Sequence, residues 1–185
     1  MALSPPLAVD SVRSLKEHGF YVVENAAIGS IAKQVDERGE SSRLESWQHF
    51  KPTLLRDERI RPIIEPFINE ANPRICSTFG SDPLHIYCFW PQPQEHRLVV
   101  SIWSPGSKVV FYDHSHTGEA TAVMASNGLF EMPPGPLKTN KRVPIEAPMD
   151  QGGVVIQAVR CGCRRLAGFT IAYGFENPRD NVTTA

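Results

Sequence analysis

A mainly β, α+β fold of the sandwich or jelly-roll kind is what this chain of 185 residues predicts. Three observations carry the prediction. Short β-branched and aromatic runs recur from residue 76 onward, separated by turn residues. Apolar residues at helical spacing are confined to the stretch before Pro73. Sixteen prolines and 13 glycines supply more breaks than a helical bundle tolerates. One domain is expected over 1–185: a helical arm with a first strand over 1–75, a β core over 76–176 and a frayed tail over 177–185.

In order along the chain, Val9, Val12 and Leu15 give Val9–His18 a helical spacing, with Asp10 or Ser11 able to cap it and Gly19 able to end it. Phe20–Val23 reads as a strand and Ile28–Arg38 as a second helix. Leu44–Leu55 is ambiguous. Asp57–Asn72 has helical spacing at Ile60, Ile63, Ile64, Phe67 and Ile68, but Pro62 and Pro66 split it or delay its start. Leu84–Trp90 and Arg97–Trp103 are strands. Ser104-Pro105-Gly106-Ser107 is a tight turn, so Arg97–Tyr112 is expected to form a hairpin. Short strands follow at Ala120–Ala125, Val143–Ala147, Val154–Val159 and Ala167–Phe175, and Pro133–Pro136 reads as a rigid loop. The helices are expected on one outer face of the sheets.

Composition excludes several functions. Apolar residues at 41% and charged residues at 21% argue against disorder. A net charge of −1 gives no electrostatic handle for nucleic acid or an anionic membrane. No apolar run reaches the roughly 18 residues a membrane span needs. Met1–Pro6 does not read as an export signal, so a cytoplasmic protein with Cys76, Cys88, Cys161 and Cys163 as free thiols is expected. The expected partner is a small-molecule substrate, with a homodimer through sheet faces as the one protein partner the fold suggests.

The densest chemistry lies in Asp113-His114-Ser115-His116-Thr117-Gly118-Glu119. On an extended strand His114 and His116 would share a face, with Glu119 in reach. One imidazole, oriented by Asp113 or Glu119, could act as acid or base near neutral pH. Alternatively His114, His116 and Glu119 could hold a divalent metal. A polar turn with His116 packed on backbone is the plain reading of the same residues. Tyr87, Trp90, Trp103 and Tyr112 are candidates to line a pocket, and one of Arg160, Arg164 and Arg165 to bind a negative group; Arg164 is the main choice. Glu95 and His96 are weaker candidates for the barrel mouth.

The helix followed by Gly19-Phe20-Tyr21-Val22-Val23-Glu24-Asn25 resembles the opening of the phytanoyl-CoA dioxygenase-like family. Leu98–Trp103 resembles its central strand, Val109–His116 the strand ending in its Gly-Ser-His motif with His114 replacing the glycine, and Gln151–Ile156 a later strand. His114-x-His116 followed by Glu119 resembles the first cupin motif. The resemblance implies a double-stranded β-helix, a jelly roll with N-terminal helices on one outer face. It places Arg164 or Arg165 near the family's 2-oxoglutarate arginine. It also implies an Fe(II) site made by His-x-Asp and a distal histidine. Here no histidine is followed two places later by Asp or Glu, and none occurs after His116. Cys161 and Cys163 stand near the distal position. The chain is therefore expected to be a degenerate member without a cofactor. The expected activity is a non-redox small-molecule enzyme of isomerase, dehydratase or cyclase type. The rivals are an oxygenase using Fe(II) with 2-oxoglutarate or another divalent metal, and a non-catalytic binding or dimerisation module.

Overall fold

The computed structural model describes residues 11–68, 73–92 and 97–176. Its helices are α1 (Ser11–His18), α2 (Ala26–Glu37), α3 (Trp47–Arg56), α4 (Arg61–Ile68) and the short α5 (Pro134–Thr139). Its strands are β1 (Phe20–Glu24), β2 (Ile75–Phe79), β3 (Asp82–Cys88), β4 (Arg97–Trp103), β5 (Ser107–Tyr112), β6 (Val123–Met124), β7 (Phe130–Glu131), β8 (Pro144–Met149), β9 (Gly153–Ala158), β10 (Cys163–Ala167) and β11 (Thr170–Glu176). They form two antiparallel sheets, in the orders β1-β9-β4-β11-β2 and β6-β7-β3-β10-β5-β8. From β2 to β5 the chain alternates between the sheets; from β8 to β11 it alternates back, pairing with the strands laid down first. That is the winding of a double-stranded β-helix. Glu95, His96 and the tail from 177 lie outside the described residues, as does Val9.

The two faces of the first sheet do different work. Leu98, Val100 and Ile102 of β4, Val154 and Ile156 of β9 and Ile171, Tyr173 and Phe175 of β11 pack outward against the helices. The helices answer with Ile28, Ala32 and Val35 of α2, Trp47, Phe50 and Leu54 of α3 and Ile63 and Ile64 of α4. Each such side chain, fully buried, contributes about 1.5–3 kcal/mol of transfer free energy. The helices therefore cover one outer face, as expected. The other face looks toward the second sheet: Phe20, Trp103 and Val155 meet Val109, Phe111, Ala147 and Met149. Phe20 and Phe111 stack with centroids 4.6 Å apart.

Several expected elements change. The Arg97–Tyr112 hairpin does not exist. β4 pairs with β9 and β11, whereas β5 pairs with β8 and β10 in the opposite sheet. Every residue from Leu98 to Trp103 is buried, so β4 needs neighbours on both edges and cover on both faces, which a hairpin does not give. Its turn is instead a corner between sheets, where the Ser104 and Ser107 hydroxyls lie 2.9 Å apart and Gly106 takes φ +76°. The expected strand Ala167–Phe175 starts later, as β11 at Thr170 after a turn at Gly168, and β10 is an additional strand that the charges of Arg164 and Arg165 hide in the sequence. Leu44–Leu55 resolves into a 3-10 turn over Leu44–Ser46 and the start of α3. Pro133–Pro136 runs into α5, since proline is compatible with a first helical turn.

The helix layer is joined to the barrel by close backbone contact. Asn25 caps α2, its Oδ1 accepting from the N–H groups of Ala27 and Ile28 at 3.0 and 3.2 Å. The Asn25 N–H donates to the Gly152 carbonyl at 3.0 Å. A Cβ on Gly29 would come within 2.0 Å of the Gln151 carbonyl oxygen, so α2 sits on the 151–152 backbone with no room between. Helix propensity alone would make Gly29→Ala stabilising by about 1 kcal/mol. The contact reverses the sign: Gly29→Ala is expected to destabilise the fold by about 2 kcal/mol or more, read as a lower urea midpoint. An unchanged or higher midpoint would contradict this packing.

Candidate active site at the open end of the barrel

Strand register brings the reactive residues to one end. Cys163 pairs with both Tyr87 and Phe111, so β3 and β5 end where β10 begins. In the other sheet Phe20 pairs with Gln157, Leu98 with Ala158 and Arg97 with Glu176. The N–H groups of Phe89 and Trp90 both donate to the Val159 carbonyl at 2.9 Å, fastening the two sheets at this end. A cavity of about 260 Å³ opens here. Phe79, Phe89, Trp90, Val99, Ala172 and Gly174 line it, and the Arg97–Glu176 ion pair, at 2.6 Å, borders it. The lining is largely apolar and aromatic, the usual chemistry of a small-molecule pocket.

On the β1–β5 side of the same end lies a polar cluster. β5 stops at Tyr112, and residues 113–118 form a turn, not the strand end that would aim His114 and His116 the same way. His114 takes φ +57°, a left-handed conformation that a non-glycine residue adopts at a cost of about 1–3 kcal/mol. This sends the two imidazoles apart. His114 Nε2 lies 3.5 Å from Asp113 Oδ2, while His18 Nδ1, from the end of α1, is 2.9 Å from Asp113 Oδ1. The side chain of Asp113 is only 14% exposed, His18 28% and His114 52%, so the carboxylate is the sheltered hinge of the group.

His116 takes the packing role. Its Nε2 meets the Lys16 carbonyl at 3.0 Å, and its ring lies where a side chain on Gly19 would be, 2.3 Å from that position. It straps α1 to the turn and so sets the reach of His18. The Arg142 guanidinium donates to the Thr117 carbonyl at 2.9 Å, and Arg160 donates to that of Gly118. The Ser115 hydroxyl accepts the Gly162 N–H at 2.8 Å. The turn is thus tied to α1, to the segment before β8 and to the segment before β10. Glu119 is exposed and stands apart from the group.

The other candidates are dispersed. Among the described residues Trp90 lines the cavity; Tyr87, Trp103, Tyr112 and Arg164 do not. Tyr87 donates its hydroxyl to Asp82 at 2.9 Å and lies under the Arg165 guanidinium, 5.0 Å from the ring centroid. Trp103 is sealed in the core between the sheets. Tyr112 lies in the outer cluster with Ile86, Val110 and Leu137, and Arg164 sits beside it. Of the three candidate arginines Arg160 and Arg165 are buried and Arg164 is not; Arg165 Nε donates to the Gly80 carbonyl at 2.9 Å. Cys161 and Cys163 are buried, and loss of solvent raises both thiols above their ordinary range, which disfavours the thiolates a metal would need. His18 was missed by sequence reading. It lies 95 residues from Asp113 at the end of an amphipathic helix, and nothing in the local pattern marks it.

No family model and no curated protein matches the chain. Solved structures do resemble it. AviO1 from Streptomyces viridochromogenes Tue57 is 13% identical, with 96% of this chain and 97% of that one covered and a TM-score of 0.58. HygX from Streptomyces hygroscopicus, solved with iron bound, is 11% identical over 94% of this chain and 88% of its own, TM-score 0.54. SnoK, a non-heme alpha-ketoglutarate-dependent carbocyclase from nogalamycin biosynthesis, is 12% identical over 94% and 86%, TM-score 0.55. At this identity the likeness establishes the fold, a cupin-type jelly roll.

The His116 strap has a pH signature. Burial holds its pKa below the ordinary 6.5, assisted by His114 and Arg142 and opposed by the Lys16 carbonyl and Asp113. Below pH 6.5 the unfolded chain therefore takes up this proton more readily than the folded one. The stability His116 contributes is complete above that pH and is lost as pH falls toward the folded value. The difference in melting temperature between the wild type and His116→Gln is expected to shrink between about pH 7 and pH 5. Parallel curves would show that the ring is not buried neutral.

Proposed function

We propose that the chain is a small-molecule-modifying enzyme of non-redox type, acting by proton transfer at the open end of the barrel. The observation that carries this is the sheltered Asp113 carboxylate, hydrogen-bonded to His18 and adjacent to His114, at the same end as the aromatic cavity. With Nδ1–H of His18 donated to Asp113, its Nε2 carries the lone pair and can take a proton; the carboxylate then stabilises the imidazolium. A positioned acid or base of this kind supplies about 10²–10⁴-fold in rate. His114, the more exposed imidazole, would serve the return transfer. The apolar walls of the cavity hold and shape the substrate. Isomerisation, dehydration and cyclisation need this equipment and no electron acceptor.

The cavity favours an enzyme over a binding or dimerisation module, for which a closed core would serve. The shared fold with SnoK, named as a carbocyclase of antibiotic biosynthesis, agrees with a tailoring role in secondary metabolism. The positions at which the family resemblance implies an iron ligand carry protonated, buried thiols, and they do not fit the resemblance's Fe(II) and 2-oxoglutarate site. We therefore read the chain as a member of this fold without that site at those positions, located in the cytoplasm.

The test is conversion of a metabolite extract from the source organism, followed by mass spectrometry. Wild-type protein is expected to consume one species and form a product of equal mass or a mass lower by water. Asp113→Asn, which keeps the shape and loses the charge, is expected to slow this by about 10²-fold or more. Equal rates would remove Asp113 from the chemistry, and a mass gain of oxygen would replace the non-redox reading.

A further inference from the structure

We propose that His18, Asp113 and His114 form a binding site for one divalent first-row transition-metal ion. The donors are two imidazole nitrogens and a carboxylate, all within 4.8 Å of one another. Ligand atoms about 2.0–2.2 Å from a common ion stand roughly 2.9–3.5 Å apart at octahedral to tetrahedral angles. Asp113 Oδ1 lies 2.9 Å from His18 Nδ1, inside that range, and its other oxygen, Oδ2, lies 3.5 Å from His114 Nε2, so the two rings approach different oxygens of one carboxylate and closing them on a shared ion takes a small movement of the exposed His114 ring. Mixed nitrogen and oxygen donors of this kind suit Zn(II), Fe(II), Mn(II) or Ni(II).

Two further features belong to a built site. The carboxylate is sheltered while the imidazoles face the mouth, so an ion held here keeps coordination positions open to a small molecule. The donors come from two segments that His116 and Arg142 already hold in place. The contrast is His85 with Asp82, 3.0 Å apart, which has no third His, Cys or carboxylate donor beside it among the described residues. The site lies on α1 and the turn after β5, and its donors do not include Cys161 or Cys163. A bound ion would supply Lewis-acid chemistry to a small molecule that reaches it.

The inference rests on the residues of the proton-transfer reading, and an ion held by His18 Nδ1 and Asp113 would replace the hydrogen bond that reading uses, so the two describe metal-loaded and metal-free forms of one site; binding is measured without substrate, so either can fail alone. Untagged protein titrated with Zn(II) in a non-chelating buffer is expected to bind one equivalent and to melt at a higher temperature. His18→Ala and His114→Gly are expected to lower the affinity at least tenfold and abolish the thermal shift. His114→Gly also removes the backbone strain, so it tests the donor without threatening the fold. His49→Ala and His85→Ala are expected to bind as the wild type does. Wild-type binding no tighter than that of His114→Gly, or equal losses in the His49 and His85 controls, would overturn the site. Zinc binding with no metabolite converted would sink only the proton-transfer reading.

Discussion

The structure hangs on the contact between the 151–153 backbone and the start of the helix layer. Gly152 and Gly153 lie where any side chain would strike the main chain of Gly29, Trp103, Val23 or Glu24. At that one point the barrel corner, β1 and α2 meet at backbone separation. The Gln151 N–H adds a bond to the Glu24 carboxylate at 2.8 Å. Fixing β1 here fixes its register against β9, from Glu24 opposite Gly153 to Phe20 opposite Gln157. Register at the far end of β1 then decides where α1 hangs, and with it where His18 arrives. A junction at the closed end of the barrel thus sets geometry at the open end, one short strand away.

Much of this architecture was legible because strands buried on both faces leave continuous apolar runs, and β4 and β9 are such runs. The helices announced themselves through spacing and caps. What stayed hidden has particular causes. β2 is an edge strand with Ile75 and Thr78 exposed, so its pattern carries little burial signal. β10 spends two of its positions on arginines, one of them buried under aromatic rings. The false hairpin came from a turn that is genuine in sequence but joins different sheets. A Pro-Gly turn fixes how sharply the chain reverses, and the sheet to which the next strand adds is decided by distant partners.

The candidate site divides along the same line. The Asp113–Glu119 segment was visible as a concentration of reactive side chains. Its internal geometry was not, since one left-handed residue changes which rings converge. The outcome replaces two histidines on one strand with a carboxylate between His18, 95 residues earlier in the chain, and His114, its neighbour in the turn. His116, a candidate acid or base in sequence, holds the frame together with Arg142. The aromatic candidates were scattered for a comparable reason. Alternation tells which residues share a face, but the fold decides whether that face looks into the barrel, as with Trp103, or out under α5, as with Tyr112.

The backbone at His114 carries one more meaning. The φ of +57° is one that glycine holds freely and an imidazole-bearing residue holds only at a cost. The turn therefore has a glycine's shape while carrying an imidazole. A glycine placed here would leave the path of the main chain as it is, so the course of the loop and the chemistry it presents can be altered separately.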